Sequence, residues 1–380
     1  MELILGVVTG LLVLVILVVL HELGHAIIAR RNGVVVEEFG IGFPPRAWAR
    51  KLKNGVLFSL NWLPIGGFVK LQGEHDSADK KSDYGNASFW QKTRILLAGV
   101  AVNWLIAAVL LTILALFGLP KILDNQFYVS SDAAITNQPI TISALTSGYP
   151  AETSGLKVGD KILSLDSYDG KQTVSGLIDK INIDKGKAVN VTYERDGKEG
   201  NVEVKLRDAE SGSVLGAGLS QQNSIRSTWS APIVGVATAG QMTWSILQGL
   251  GDLVSNLFGG IVMQFSPNEA TRAAASQDIK AAGESVAGPV GILGTIFPQA
   301  EKAGLGQLTL LTAVISLTLA VMNVLPIPAL DGGRWFTMTL FRLMKRPLTK
   351  DTEEKIQASG FLVLMGLILL ITIIDVTRLF

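Results

Sequence analysis

The sequence predicts a polytopic α-helical membrane protein of about four transmembrane helices, with a soluble α+β domain between the second and third. Three observations carry this. The 380 residues are 48% hydrophobic and only 17% charged, whereas an ordinary soluble domain carries about 25% charged residues. Four apolar runs approach the roughly 20 residues that a helix needs to cross a bilayer. The stretch 121–230 differs from all of them, with mixed charge and frequent turn residues.

The first apolar run covers 3–20, and Ala26–Ala29 extend it past a polar cluster, so a helix is expected over 3–28. Glu2 in place of a basic leader, and no small-residue cleavage site, argue against a removed signal peptide. The second run, 95–118, is interrupted by Asn103 and closes on Gly118-Leu119-Pro120. The third is 305–330 and the fourth 361–374. Eleven Lys and Arg fall in 29–94 and six in 331–360. Short basic loops stay cytoplasmic, so both loops are expected inside and both termini outside. The expected divisions are 1–120, 121–230, 231–304 and 305–380.

Within 121–230, "TISALTSGYPAETSGLKVGDKILSLD" (141–166) reads as strand, turn, short helix, glycine turn and strand. Residues 173–182 have helical spacing. Residues 188–208 read as a hairpin, with Val189, Val191 and Tyr193 alternating on one strand and Val202, Val204 and Leu206 on the other. Arg195-Asp196-Gly197-Lys198 makes the turn. Residues 231–263 are apolar and Gly-rich but carry Gln241, Gln248, Asp252 and Asn256. Residues 266–285 are polar and read as loop.

The chemistry concentrates at "VVLHELGHAIIAR" (18–30). His21 and His25 are i and i+4 on a helix, about 40° apart around the axis and roughly 6 Å along it. Two imidazoles so placed can share one metal ion, and Glu22 beside them can take a proton from a water the metal activates. Ionisable groups in an apolar helix cost several kcal/mol unless paired or coordinated. The competing reading is a pair of interfacial histidines with a solvated Glu22.

The chain has no Cys and only three His. Disulfides, thiol catalysis and Cys-based zinc fingers are excluded. A catalytic zinc takes three protein ligands and keeps one open position. His75 lies in a polar loop, so the third ligand is expected to be a carboxylate at membrane depth. Asp331 ends the third apolar run in "NVLPIPALDGGRW" (323–335), where Pro326 and Pro328 loosen the helix. The alternative there is a helix-terminal turn with a solvated Asp. If Asp331 meets the histidines, helices one and three run in the same direction. The segment 231–263 then cannot cross singly, and it is read as an interfacial helix beside the core. The soluble domain is then extracytoplasmic.

These residues resemble the bacterial site-2 proteases, intramembrane zinc metalloproteases of the RseP type. HELGH at 21–25 is similar to the family's HExxH. Asn323–Gly333 is similar to its NxxPxPxLDGG signature. "FGIGFPP" (39–45) and "LPIGGFVKL" (63–71) resemble its membrane-associated β-loop, "PAETSGLKVGDKI" (150–162) its PDZ domain, and "GPVGI" (288–292) a further motif. Asn103 in "AGVAVN" (98–103) is also kept. The resemblance implies that His21, His25 and Asp331 bind Zn²⁺, that Glu22 activates water, and that Gly24 permits close helix packing. It implies substrate contact by Asn323 and by the β-loop around Gly40, Gly42, Gly66 and Gly67. There an edge strand could capture an unwound substrate by β-addition. A plain cytoplasmic hairpin is the alternative.

The expected function is therefore regulated intramembrane proteolysis of single-span membrane proteins, such as anti-sigma factors or signal-peptide remnants, in the inner (cytoplasmic) membrane. An upstream trimming protease is the expected partner. The runner-up is a membrane scaffold acting through its PDZ-like domain. A scaffold has no use for Glu22. A transporter would show internal repeats, and none is found. A net charge of +1 predicts no nucleic-acid partner.

Overall fold

The computed structural model describes residues 2–379 apart from 124, 171–172, 196, 209–212, 265, 267, 270–271, 273–274 and 277–286. The expected loop 266–285 and Asp196 of the expected hairpin turn thus fall wholly or partly outside the described residues. The chain divides into two units, one of Met1–Ile113 with Gly235–Phe380 and one of Leu114–Val234.

The first unit opens with α1 (Glu2–Arg31), unbroken by proline. Next come β1 (Val36–Lys51) and β2 (Leu57–Leu71). Their pairing shifts register, so that Phe39 stands opposite both Phe58 and Val69. The first half of β1 therefore lies between two segments of β2, and Gly67–Leu71 forms an outer segment. Helix α2 (Phe89–Leu96) starts at Ser88, which closes a capping box with Gln91. Helix α3 (Ala98–Phe117) follows. Gly24 brings α1 and α3 together: a Cβ there would lie 2.9 Å from both Ala98 O and the Val102 side chain.

The later part of this unit holds most of α6 (Ala231–Met263). It continues through α7 (Pro289–Gly291), a π-helical turn (Ile292–Ile296) and α8 (Phe297–Lys302). Helices α9 (Leu305–Val324), α10 (Asp331–Leu343) and α11 (Lys350–Leu379) complete it. Asp375, 4% exposed, accepts from the amides of Gly288 and Gly291 at 3.2 and 2.8 Å. The "GPVGI" turn is thereby anchored to α11.

One expectation is corrected. The third helix ends at Val324, not 330. Leu325 is extended (ψ 150°), as a residue before proline prefers. Asp331 consequently opens a new helix instead of closing the old one. Its neighbours Gly332 and Gly333 leave no room for a Cβ, which would come within 2.2 Å of Val324 O and 2.0 Å of Ile327 O respectively. The segment 231–263, expected as an interfacial helix, is one continuous helix of 33 residues. Among the described residues, five helices have the length and hydropathy to cross a membrane, and it is one of them.

The second unit includes a sheet in the order β10-β5-β6-β8-β9, with β7 on β6. Its strands are β5 (Ile140–Leu145), β6 (Lys161–Leu165), β7 (Tyr168–Asp169), β8 (Ala188–Arg195), β9 (Lys198–Lys205) and β10 (Ala217–Ser220). Helices α4 (Pro150–Thr153) and α5 (Val174–Ile183) accompany it. A smaller sheet joins β3 (Leu119–Pro120), β11 (Asn223–Arg226) and β4 (Ala134–Asn137). The core collects Ile140, Ile142, Ile162, Leu165, Leu177, Val189, Val191 and Val204. The alternation along 188–206 thus points Val189, Val191 and Val204 inward.

Asp160, 1% exposed, anchors this unit. It receives Arg195 Nε at 2.6 Å, Arg195 Nη2 at 2.7 Å and the Lys157 amide at 2.7 Å. Burial alone would raise its carboxyl, but Arg195 and the Lys157 amide outweigh burial and hold it below the usual carboxylate range. Because the folded value is depressed, this stabilisation is present above the unfolded value near 3.9 and is lost as pH falls through the folded value. Removing the carboxylate leaves the Lys157 amide and half-buried Arg195 without this acceptor and costs about 1–3 kcal/mol. Asp160→Ala is therefore expected to raise amide hydrogen exchange sharply in β6 and β8 of the full-length protein. Exchange unchanged at pH 7 would contradict this.

Candidate metal centre

Helix α1 presents His21, Glu22 and His25 within little more than one turn, and the start of α10 brings Asp331 to them. Both imidazoles are buried, His21 at 7% and His25 at 8% exposure. His21 Nε2 and His25 Nε2 are 3.1 Å apart, and Asp331 Oδ2 lies 3.1 Å from the first and 3.2 Å from the second. The three atoms form a nearly equilateral triangle.

Three ligands around a tetrahedral zinc, each roughly 2.0–2.1 Å from the metal, stand about 3.3 Å from one another. The triangle has that size, and its donors are two neutral-capable imidazoles and a carboxylate, a set zinc accepts. Among the described residues this is the one group of three His, Asp or Glu with metal-ligating spacing. Gly99 on α3 supplies the space. A Cβ there would fall 2.5 Å from both His21 Cε1 and His25 Nε2. The residues present fit the ion.

The triangle is held from behind. His25 Nδ1 donates to the Ile95 carbonyl at 2.7 Å, which leaves Nε2 its lone pair. The turn before Asp331 is tied to α11. Ala329, at φ 77°, donates its amide to Gln357 Oε1 at 2.6 Å. A Cβ at Gly360 would lie 2.4 Å from Pro328. One turn past Asp331, Arg334 bonds Glu353 at 3.0 Å and Glu74 at 3.1 Å and stacks over Tyr84. Left-handed backbone at a non-glycine residue costs about 1–3 kcal/mol and persists only where surroundings enforce it.

A cavity of about 830 Å³ opens onto this centre. Glu22, His25 and Asp331 line it together with Phe68–Leu71 of β2 and Phe361 of α11. The Val69 backbone faces the Glu22 carboxylate. Gly67 faces the same group: a Cβ there would be 3.6 Å from Glu22 Cγ. The outer segment of β2 therefore runs directly past Glu22.

The remaining expected substrate contacts fare differently. A Cβ at Gly40 would meet the Phe68 ring, one at Gly66 the Phe43 ring, and Gly42 sits at φ 77° against Leu63 O. The sheet's own close packing accounts for these three. Asn323 donates to Leu319 O of its own helix at 2.9 Å and does not line the cavity. The sequence reading missed Gly99, Arg334 and Gln357. None of the three carries a local signal, although Gly99 stands inside the quoted "AGVAVN".

Fold and site together define a multi-pass membrane protein with a buried His-His-Asp cluster beside a carboxylate. The chain belongs to peptidase family M50, whose sequence profile matches residues 9–367. A candidate zinc metalloprotease of Fusobacterium nucleatum subsp. nucleatum is 30% identical, covering 96% of each chain. The zinc metalloprotease RasP of Geobacillus kaustophilus is 25% identical, again over 96% of each. The regulator of sigma-W protease RasP of Bacillus subtilis is 24% identical over the same shares. A crystal structure of the PDZ domain of the SdrC-like protein from Listeria monocytogenes covers 24% of this chain and 93% of its own, at 23% identity and a TM-score of 0.19. That score carries no argument about the fold.

Proposed function

We propose that this peptidase is an intramembrane zinc metalloprotease that cuts single-span membrane proteins. The observation that carries the reading is the 3.1–3.2 Å triangle of His21, His25 and Asp331 with Glu22 in the adjoining cavity wall. His21, His25 and Asp331 would hold the ion. When bound, zinc supplies Lewis acidity, making water a better nucleophile near neutral pH and polarising a carbonyl. Glu22 accepts the proton of the attacking water and returns it to the departing nitrogen.

A transmembrane substrate arrives as a helix whose amides are already bonded within it. Cleavage needs an extended stretch. The outer β2 segment, passing Glu22 and lining the cavity, is suited to take that stretch as an added strand. Gly67 keeps the approach free of a side chain.

Contact between Asp331 and His21 supports helices α1 and α9 running in the same direction. The chain between α3 and α9 then crosses an even number of times. Helix α6, at about 50 Å, is long enough to cross, and its first turns run antiparallel to α3, with Gly235 against Thr112 and Thr243 accepting from Trp104 Nε1 at 3.1 Å; if it crosses, the chain has to return before α9. The basic loops favour an active site toward the cytoplasmic leaflet of the cell membrane, with the 114–234 unit outside. That unit's order of strand, short helix, strand, helix and hairpin suits a PDZ-like domain. Its proposed role is to screen out substrates with bulky ectodomains, so that an upstream protease must trim them first. Anti-sigma factors and signal-peptide remnants fit this description, and the sigma-W regulator among the relatives supports the former.

The test is metal removal. Purified protein reconstituted with a single-span reporter should lose cleavage on exhaustive chelation and regain it with one Zn²⁺ per chain. Cleavage that survives complete metal removal would overturn the reading.

A further inference from the structure

His21 has a second nitrogen that the metal triangle does not use. If Nε2 is to offer its lone pair to zinc, the neutral ring must carry its proton on Nδ1, which then needs an acceptor. His25 meets this need with the Ile95 carbonyl. On His21 the group facing Nδ1 is the side-chain amide of Asn103, at 3.4 Å. Asn103 sits in the second turn of the membrane helix α3 and is 1% exposed. Its Oδ1 is buried without a hydrogen-bond partner. The two ends of an amide exchange by a half-turn about the Cβ–Cγ bond. That half-turn places the orphaned oxygen on Nδ1, where an acceptor is required.

We infer that Asn103 is the positioning residue for His21: its Oδ1 accepts the Nδ1–H proton, which fixes the tautomer and the ring plane of a zinc ligand. The backbone of Asn103 is held independently, by Ser316 Oγ donating to its carbonyl at 2.8 Å. The side chain is therefore not needed to dock α3 against α9. A polar amide at membrane depth otherwise has no energetic reason to be there. The inference rests on the zinc reading proposed above.

The test is zinc affinity of the full-length protein by chelator competition, in a double-mutant cycle. Asn103→Leu should weaken zinc about 10–100-fold, the usual cost of losing such a partner. The same substitution should cost as much in a His25→Ala background and nothing in a His21→Ala background, because its effect passes through His21. An equal loss in the His21→Ala background would mean a merely structural role and overturn the inference. Undiminished affinity in Asn103→Leu would do the same. If Asn103→Leu and Asn103→Ala do not fold, Asn103→Asp decides. It keeps an acceptor and should bind zinc at least as tightly as the parent, and a tenfold weaker affinity overturns the inference. The His21→Ala protein separates the two levels. If it alone binds zinc like the parent, the zinc reading itself has failed. If it loses zinc and Asn103→Leu does not, only the positioning role has.

Discussion

Glu22→Gln should retain one zinc per chain and a native fold while cleavage falls about 10²–10⁴-fold, the share a positioned base contributes. The amide is nearly the same size and can still lie against the outer β2 segment, but it cannot take a proton. Glu22 is outside the ligand triangle, so metal content should not follow activity. The check is zinc analysis beside single-turnover cleavage of a reconstituted reporter. A variant with full activity would remove Glu22 from the chemistry. A variant that lost zinc would make Glu22 a ligand and change the assignment of Asp331.

Asp331→Asn should fail at an earlier step. Its Oδ2 touches both imidazole nitrogens, and a neutral amide oxygen is a poorer donor to a divalent cation. Zinc affinity should drop by more than the roughly 10–100-fold that follows from disturbing an outer partner, and activity should return partly at high Zn²⁺. Glu22→Gln should show no such rescue. That contrast separates a ligand from a base, and chelator titration of both proteins measures it. Stoichiometric zinc in Asp331→Asn under mild chelation would place Asp331 outside the coordination sphere.

Much of this site is legible in the sequence because its signals are local or chemically costly. The i, i+4 spacing of His21 and His25 needs only helix geometry. Glu22 and Asp331 stand out because a charge at the end of an apolar run has to be compensated. Alternation along 188–206 marks the β8–β9 hairpin for the same kind of reason. What was not legible depends on distant packing. Nothing local distinguishes Gly99 from other glycines until α3 is laid against two imidazoles. Gln357 and Arg334 matter because α11 returns to brace the turn before Asp331, and no periodicity encodes that return. The end of the third helix was misjudged by six residues because apolar character continues through Leu325–Leu330, while the backbone obeys Pro326 and Pro328. Helix α6 shows the opposite problem. Its length, its composition and its packing along α3 suit a crossing, and the long-range meeting of Asp331 with His21 speaks against its crossing alone.

The central claim is that two residues of α1 and one from the start of α10 hold a single zinc ion. Zinc K-edge X-ray absorption on protein carrying one Zn²⁺ per chain tests it most directly. Two imidazole nitrogens at about 2.0–2.1 Å with oxygen completing the shell, falling to one imidazole in His25→Ala, is the predicted result. An imidazole count that does not change when His25 is removed would contradict it.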